Sequence, residues 1–242
     1  TAAALLATVL ALSGETSLAA PVRTADGFSA EARQTQLTGL AIDGLQLAGV
    51  SVEVALLDPR TGAPAGDGFS VEGAWQSQGD RLLLDGAVRA EGTEDRVADL
   101  VVRVGGVELP LSTMAEDPLL LPKKLLSKLP LVSLRAGGQD RLSLAVPPDR
   151  LAVFDFRQQG DAVELRYRFG FTAEAKSSLR SRAPFACVLY RTDPRWHFRS
   201  ALARYYEFFP TPFEPLAREQ GGWFFAAPTG DLPNPQHFFY HE

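Results

Sequence analysis

Several residue types are scarce in this sequence, and each scarcity closes a class of function. Cys187 is the single cysteine in 242 residues, so no disulfide forms within the chain. It sits among Phe185, Ala186, Val188, Leu189 and Tyr190. Such surroundings predict a buried strand position, because a nucleophilic thiol needs an activating base and access to solvent. The three histidines, His197, His237 and His241, do not stand at the H-E-x-x-H spacing or at any other tight ligand spacing, so no metal site is expected. A glycine-rich phosphate loop and a G-x-S-x-G elbow are also missing, and no cofactor is expected. Basic residues are in deficit: 24 Lys and Arg stand against 29 Asp and Glu, a formal charge of -5. This argues against a general nucleic-acid binder, which needs a basic face to neutralise phosphates. The apolar run at residues 2–12 is too short to span a bilayer, so no transmembrane segment is expected. No fixed-period repeat points to a propeller or solenoid.

What remains is a sequence that is 45% hydrophobic and 22% charged, enough to bury a substantial core. It begins at Thr1 without an initiator Met, which implies a missing amino-terminal stretch. The uncharged run at 2–12 precedes Ser17-Leu18-Ala19-Ala20, a small-x-small pattern of the kind that signal peptidase cleaves. Residues 1–20 therefore read as the remnant of a signal peptide, which would place the protein in a secreted or periplasmic location. An ordinary apolar helix is the other reading of the same run.

From Leu37 onward, short apolar runs alternate with turn residues at the spacing of a large antiparallel β-sandwich. Strands are predicted at 51–57, 69–76, 81–90, 98–104, 141–146, 151–156, 162–169 and 185–190. Gly105-Gly106 reads as a hairpin turn joining 98–104 to 107–111. In 162–169, Val163, Leu165, Tyr167 and Phe169 face one way, and Glu164, Arg166 and Arg168 the other. The run 185–190 lacks alternation, which suits a strand covered on both faces. Residues 117–132, rich in leucine and carrying Lys123, Lys124 and Lys128, fit either a packed connector or a membrane-surface or partner-binding segment.

Residues 193–210 alone carry a strong helical pattern. Asp193 suits the N-cap and Pro194 the first turn, and Pro210 and Pro212 end the segment. Phe198, Ala201, Leu202, Tyr205 and Phe209 share a face, with Arg199, Ser200, Arg204 and Glu207 off it. A second short helix is expected over 213–220, and a new apolar element at Trp223-Phe224-Phe225. The aromatic end at Phe238-Phe239-Tyr240 implies that another element follows Glu242.

The string Asp193-Pro194, Trp196, Phe198-Arg199, Ala201-Leu202, Tyr205-Tyr206, Phe209-Pro210, then Phe213, Gly222-Trp223 and His241-Glu242 resembles a stretch in large, largely uncharacterised secreted bacterial proteins similar to glycoside hydrolases. The resemblance covers about residues 140–242. It implies a sandwich like that of galactose mutarotase, then a helical linker, then a (β/α) barrel that carries any active site. His197 departs from the glycine such a string would place after Trp196. On this reading residues 21–192 form the sandwich, 193–220 a linker and 221–242 the start of the barrel. The chain is then a non-catalytic support domain, its partners being carbohydrate and the downstream catalytic domain in cis. A carbohydrate-binding or cell-surface interaction module is the alternative.

A glycosidase needs two carboxyl groups across the scissile bond. The candidates Asp155, Glu164, Asp193 and Glu207 have structural readings instead: an outward strand face for the first two, a helix cap for Asp193, and a pair with Arg204 for Glu207. No catalytic residue is assigned. Trp75, Trp196, Trp223 and Tyr240 have faces that can stack on sugars or fill a core. Trp75, Trp196 and Arg199 are the candidate carbohydrate contacts. Phe198, Tyr205, Phe209 and Trp223 are the candidate interdomain packing residues, so the helical stripe is expected to await a downstream surface.

Overall fold

The computed structural model describes residues 19–109, 129–150, 152–214, 222–225 and 238–241, the last two segments by their backbone. Residues 1–18 of the expected leader and the lysine-rich part of 117–132 lie outside the described residues, as do residues 215–220 of the expected second helix, while Ala20, the last position of the expected leader, begins the first strand. The chain forms two compact units, Thr1–Phe208 and Phe209–Glu242.

The first unit is mainly β. One sheet contains β1 (Ala20–Arg23), β2 (Phe28–Arg33), β3 (Gln36–Ile42), β4 (Leu45–Gln46), β5 (Ser51–Leu57), β8 (Arg96–Gly105), β11 (Phe154–Gln159) and β12 (Ala162–Phe171). Its order is β1-β2-β3-β5-β8-β12-β11, with β4 on β3. The second sheet contains β6 (Phe69–Gln78), β7 (Arg81–Ala90), β9 (Leu131–Ala136), β10 (Gln139–Ala145) and β13 (Arg182–Arg191). Its order is β6-β7-β13-β10-β9. All the pairings in both sheets are antiparallel. A single apolar cluster joins them, taking Leu37, Val52, Leu100, Val102, Val163 and Leu165 from one sheet and Leu82, Leu84, Leu134, Leu144, Phe185 and Leu189 from the other. Two-residue alternation sends these side chains inward from each sheet, and the result is the expected sandwich.

β12 shows how alternation builds both faces at once. Inward, Tyr167 is 1% exposed and its hydroxyl donates to the Ala186 carbonyl of β13 at 2.6 Å, spanning the core. Burial pushes this phenol well above its ordinary pKa, so the hydroxyl stays a donor. Beside it, Cys187 is fully buried and its thiol is likewise pushed up by desolvation.

The predicted hairpin at Gly105-Gly106 does not form. The partners of β8 are β5 and β12, and Glu108 instead makes an antiparallel bridge to Arg135 on the edge strand β9 of the opposite sheet. Local glycine chemistry is compatible with either course. Here Gly106 takes φ +70°, and a Cβ there would overlap the Gly49 carbonyl, so the chain presses on the turn before β5 and crosses over.

Helix α1 (Ser177–Arg180) leads into β13, and α2 (His197–Phe208) packs on β9 and β10. β13 is buried on both faces over Phe185–Tyr190, as its lack of alternation predicts, and Tyr190 on its outer face meets α2 through Ala201 and Phe208. The stripe of α2 is therefore not left waiting: Phe198 is 5% exposed, and Ala201 and Tyr205 are fully buried, all within the first unit. The second unit has a 3₁₀ turn at Thr211–Phe213 where a longer helix was expected to begin, then β14 (Gly222–Phe225) paired in parallel with β15 (Phe238–His241).

Gly73 and Gly86 oppose each other in the β6–β7 pair. A Cβ at Gly86 would overlap the Glu72 carbonyl and stand 2.8 Å from Cζ of Phe185. Gly86→Ala is expected to destabilise the fold by about 1–3 kcal/mol through overpacking. A denaturant midpoint unchanged from wild type would show that the sheet gives way at no cost.

Candidate functional site

Two surfaces of the first unit concentrate polar and aromatic chemistry. One is the solvent side of α2 and the turn that feeds it. The Asp193 carboxylate accepts from the Arg195 amide at 2.9 Å and from the Arg195 guanidinium at 2.7 Å. Those Arg195 bonds hold the carboxyl down at about 2. Asp193 thus caps a turn over 194–196, as its position predicts, but the turn is not continuous with α2. His197 takes φ +47°, a left-handed conformation that interrupts it, so α2 starts three residues after Pro194. This is the position where glycine was expected.

His197 has a structural use in this strained place. Its Nδ1 lies 3.0 Å from Oδ2 of Asp140, whose Oδ1 accepts from Arg135 at 3.0 Å. Asp140 is 1% exposed. A carboxylate that buried needs such partners, and the pair ties the head of α2 to the β9–β10 hairpin. Ser200, predicted off the packed face, is buried instead: its Oγ accepts from the Asp193 amide at 2.9 Å, a helix side chain reaching back to an orphan donor. Along the helix, the Tyr190 hydroxyl donates to the Ala201 carbonyl at 2.9 Å, and the Tyr205 hydroxyl to the Val146 carbonyl at 2.8 Å. Arg204 bonds Asp26 at 2.8 Å and Asp80 at 3.1 Å, rather than pairing with Glu207 as its helical spacing predicts. Arg81 donates to the Phe208 carbonyl at 3.2 Å.

On this anchored frame Trp196 is 60% exposed and Tyr206 44% exposed. Arg199 is exposed too, seven residues before Tyr206 and so on the same side of the helix.

The second surface is the outer face of the larger sheet, where β11, β12 and β8 bring opposite charges side by side. Asp155 lies opposite Arg166, Arg157 opposite Glu164, Arg168 opposite Asp99, and Glu164 opposite Arg103. The bonds follow the register or step along a strand. Arg168 grips Asp99 through Nε at 2.9 Å and Nη2 at 3.1 Å. Arg166 grips Glu164 at 2.9 and 2.7 Å, Arg103 reaches Glu164 at 3.1 Å, and Arg157 holds Asp155 at 3.1 and 2.6 Å. Asp99 pushes the Arg168 guanidinium above its ordinary value through that bond. The arginine stems roof over the carboxylates beneath them: Asp99 and Glu164 are 3% and 5% exposed although they point away from the core. Glu164, predicted on an open outward face, is thus covered. The outward trio of β12 announces this lattice in the sequence. Its partners Asp99 and Arg103 were missed, because β8 reads as an apolar strand and its pairing with β12 spans about sixty residues.

The candidate carbohydrate contacts fall apart in space. Trp75 is 4% exposed and its indole N–H donates to the Thr35 carbonyl at 2.9 Å, so it fills the core and has no face open to a sugar. Trp196 and Arg199 lie at α2, away from β6. Of the candidate interdomain residues, Phe198 and Tyr205 pack within the first unit, while Phe209 and Trp223 belong to the second. Among the described residues no cluster of three metal-ligating side chains occurs, and no helix is long and apolar enough to cross a membrane. No family model matches the chain, and no curated protein matches it.

His197 can be read by two substitutions. Both Ala and Gly remove the bond to Asp140, but only Gly relieves the left-handed φ, so His197→Gly should be the more stable of the two by about 1 kcal/mol in chemical denaturation. Equal stabilities would mean that the backbone at 197 relaxes. Asp193 supplies a pH signature. Its carboxyl is depressed, so its support of the turn is complete above the ordinary value of 3.8 and is lost as pH falls through about 2. A carboxyl titration by NMR should find the midpoint near the lower value, and a midpoint near the ordinary one would remove the cap.

Proposed function

We propose that this chain is a non-catalytic β-sandwich support module of a secreted carbohydrate-active protein, and that it meets sugar through the solvent face of α2. The observation that carries the reading is Trp196: a large aromatic, 60% exposed, on a turn fixed by Asp193 and Ser200 and followed by a helix buried along its other side. An exposed indole on a fixed frame gives a flat face for the C–H side of a sugar ring at little entropic cost, and Arg199 adds a donor fork for hydroxyls.

The state of the carboxylates supports a non-catalytic role. Asp99, Asp140 and Glu164, the buried carboxylates among the described residues, all accept from arginine. Carboxylates engaged in this way are poorly suited to the free acid and base that glycoside hydrolysis requires. The parallel pairing of β14 with β15 accords with a second unit of α/β character. On the resemblance over about residues 140–242, such a unit would be the start of a catalytic barrel.

The test is calorimetry of the whole chain against an oligosaccharide panel, with an aryl-glycoside hydrolysis assay alongside. Binding that weakens at least tenfold in Trp196→Ala, with no turnover, is the expected result. Turnover by the chain itself, or binding indifferent to Trp196, would overturn the reading.

A further inference from the structure

His197 carries a group that its place in the fold does not use. The residue takes φ +47°, where glycine is free of strain, and its Nδ1 lies 3.0 Å from Oδ2 of the buried Asp140. Asparagine meets both structural demands: it enters the left-handed region readily, and its amide N–H stands as far along the side chain as Nδ1–H. What histidine adds to asparagine is the second ring nitrogen, Nε2. A strained residue with a group left over from its structural role points to function.

The state of Nε2 follows from the partner of Nδ1. Asp140 is 1% exposed, and its Oδ1 accepts from Arg135 at 3.0 Å. A carboxylate held between Arg135 and His197 only accepts, so the proton of the neutral imidazole sits on Nδ1 and Nε2 keeps its lone pair. The two nitrogens point widely apart across a five-membered ring. With Nδ1 turned inward and the side chain 53% exposed, Nε2 faces solvent. It has no hydrogen bond among the described residues.

The neighbours of Nε2 supply what it lacks. The Arg199 amide donates to the Trp196 carbonyl at 3.0 Å, so Trp196, His197 and Arg199 share one turn of backbone, and all three are exposed. Trp196 offers an apolar face, Arg199 offers donors only, and Nε2 adds an acceptor. A sugar ring uses all three, since it has a C–H face and hydroxyls that donate and accept at once. An anion such as sulfate has no hydrogen to give and leaves Nε2 idle.

We propose that Nε2 of His197 accepts a hydrogen bond from a sugar hydroxyl at the Trp196 surface, which makes His197 a specificity-determining contact. This rests on the carbohydrate reading of Trp196. Protonation turns Nε2 into a donor, so the acceptance holds while the imidazole is neutral and is lost as pH falls through its titration. The charged groups around the ring are Asp140 on β10 and Arg135 on β9, with Arg199 and the Arg195–Asp193 pair on its own segment.

The experiment is an NMR titration of the whole chain with its imidazole nitrogens labelled. The probes are the methyl glycosides of glucose, galactose and mannose, each also with one hydroxyl at a time converted to a methyl ether, which still accepts but cannot donate. Variants are His197→Asn, which keeps the bond to Asp140, and Trp196→Ala, each checked for native circular dichroism. Without sugar, the neutral ring should carry its proton on Nδ1. Sugar should move the Nε2 signal, and one ether should bind about fivefold or more weakly than its parent. That difference should vanish in His197→Asn and below the measured midpoint of the imidazole. A neutral ring protonated on Nε2, an Nε2 signal that no sugar moves, or a difference that survives in His197→Asn would overturn the proposal. Binding that needs Trp196 but is indifferent to His197→Asn would overturn this contact and spare the reading of Trp196. Binding that needs His197 but not Trp196 would do the reverse, and no binding of any sugar would overturn both.

Discussion

The hydrogen bond from the Tyr167 hydroxyl to the Ala186 carbonyl is the constraint around which the sandwich is arranged. A phenol buried in an apolar core is costly unless its O–H finds an acceptor. Here the acceptor is backbone on the opposite sheet. That sets which residue of β12 lies over which residue of β13, and with it the register between the layers. On β12 the inward position of Tyr167 dictates that Glu164, Arg166 and Arg168 point outward, since the side-chain period of a strand is two. On β13 the same contact leaves Tyr190 facing away from the core, where it receives α2 through its bond to Ala201. One interaction inside thus orients both outer surfaces on which chemistry is concentrated.

Strand existence was legible because each strand is a local pattern. The edges of β5 and β7 agree with the sequence reading, and β12 needed only its alternation of Val163, Leu165 and Tyr167 against Glu164 and Arg166. Pairing was less legible. Gly105-Gly106 has hairpin chemistry, and nothing local says that Val107 and Glu108 are to cross to the other sheet; the contact of Gly106 with Gly49 that fits this course joins residues far apart in sequence. The same limit explains Ser200, Arg204 and Trp75. Helical spacing puts the first two off the apolar stripe, and composition cannot tell a core indole from an exposed one. Each was decided by a partner on another element: Asp193, Asp26 with Asp80, and Thr35.

The two candidate surfaces differ in how much of each is local in sequence. Trp196 and Arg199 were visible as residue types in a distinctive string, and the structure adds their exposure and the anchoring of the helix behind them. The charge lattice on β8, β11 and β12 was legible only in part, because its arginines and carboxylates read singly as a solvated strand face. Arg157 to Asp155 and Arg166 to Glu164 step along a strand, and only Arg168 reaches across strands to grip both oxygens of Asp99, a contact that strand register alone creates.

The manner in which α2 is attached has a mechanical consequence. The chain leaves the first unit through a helix fastened near its head by His197 to Asp140, along its length by Tyr190, Tyr205 and Arg204, and at its last residue by Arg81 on the Phe208 carbonyl. These attachments are spread over the head, middle and end of the helix, so the point at which the chain leaves the first unit is held by several elements of both sheets at once and its position does not depend on any single bond.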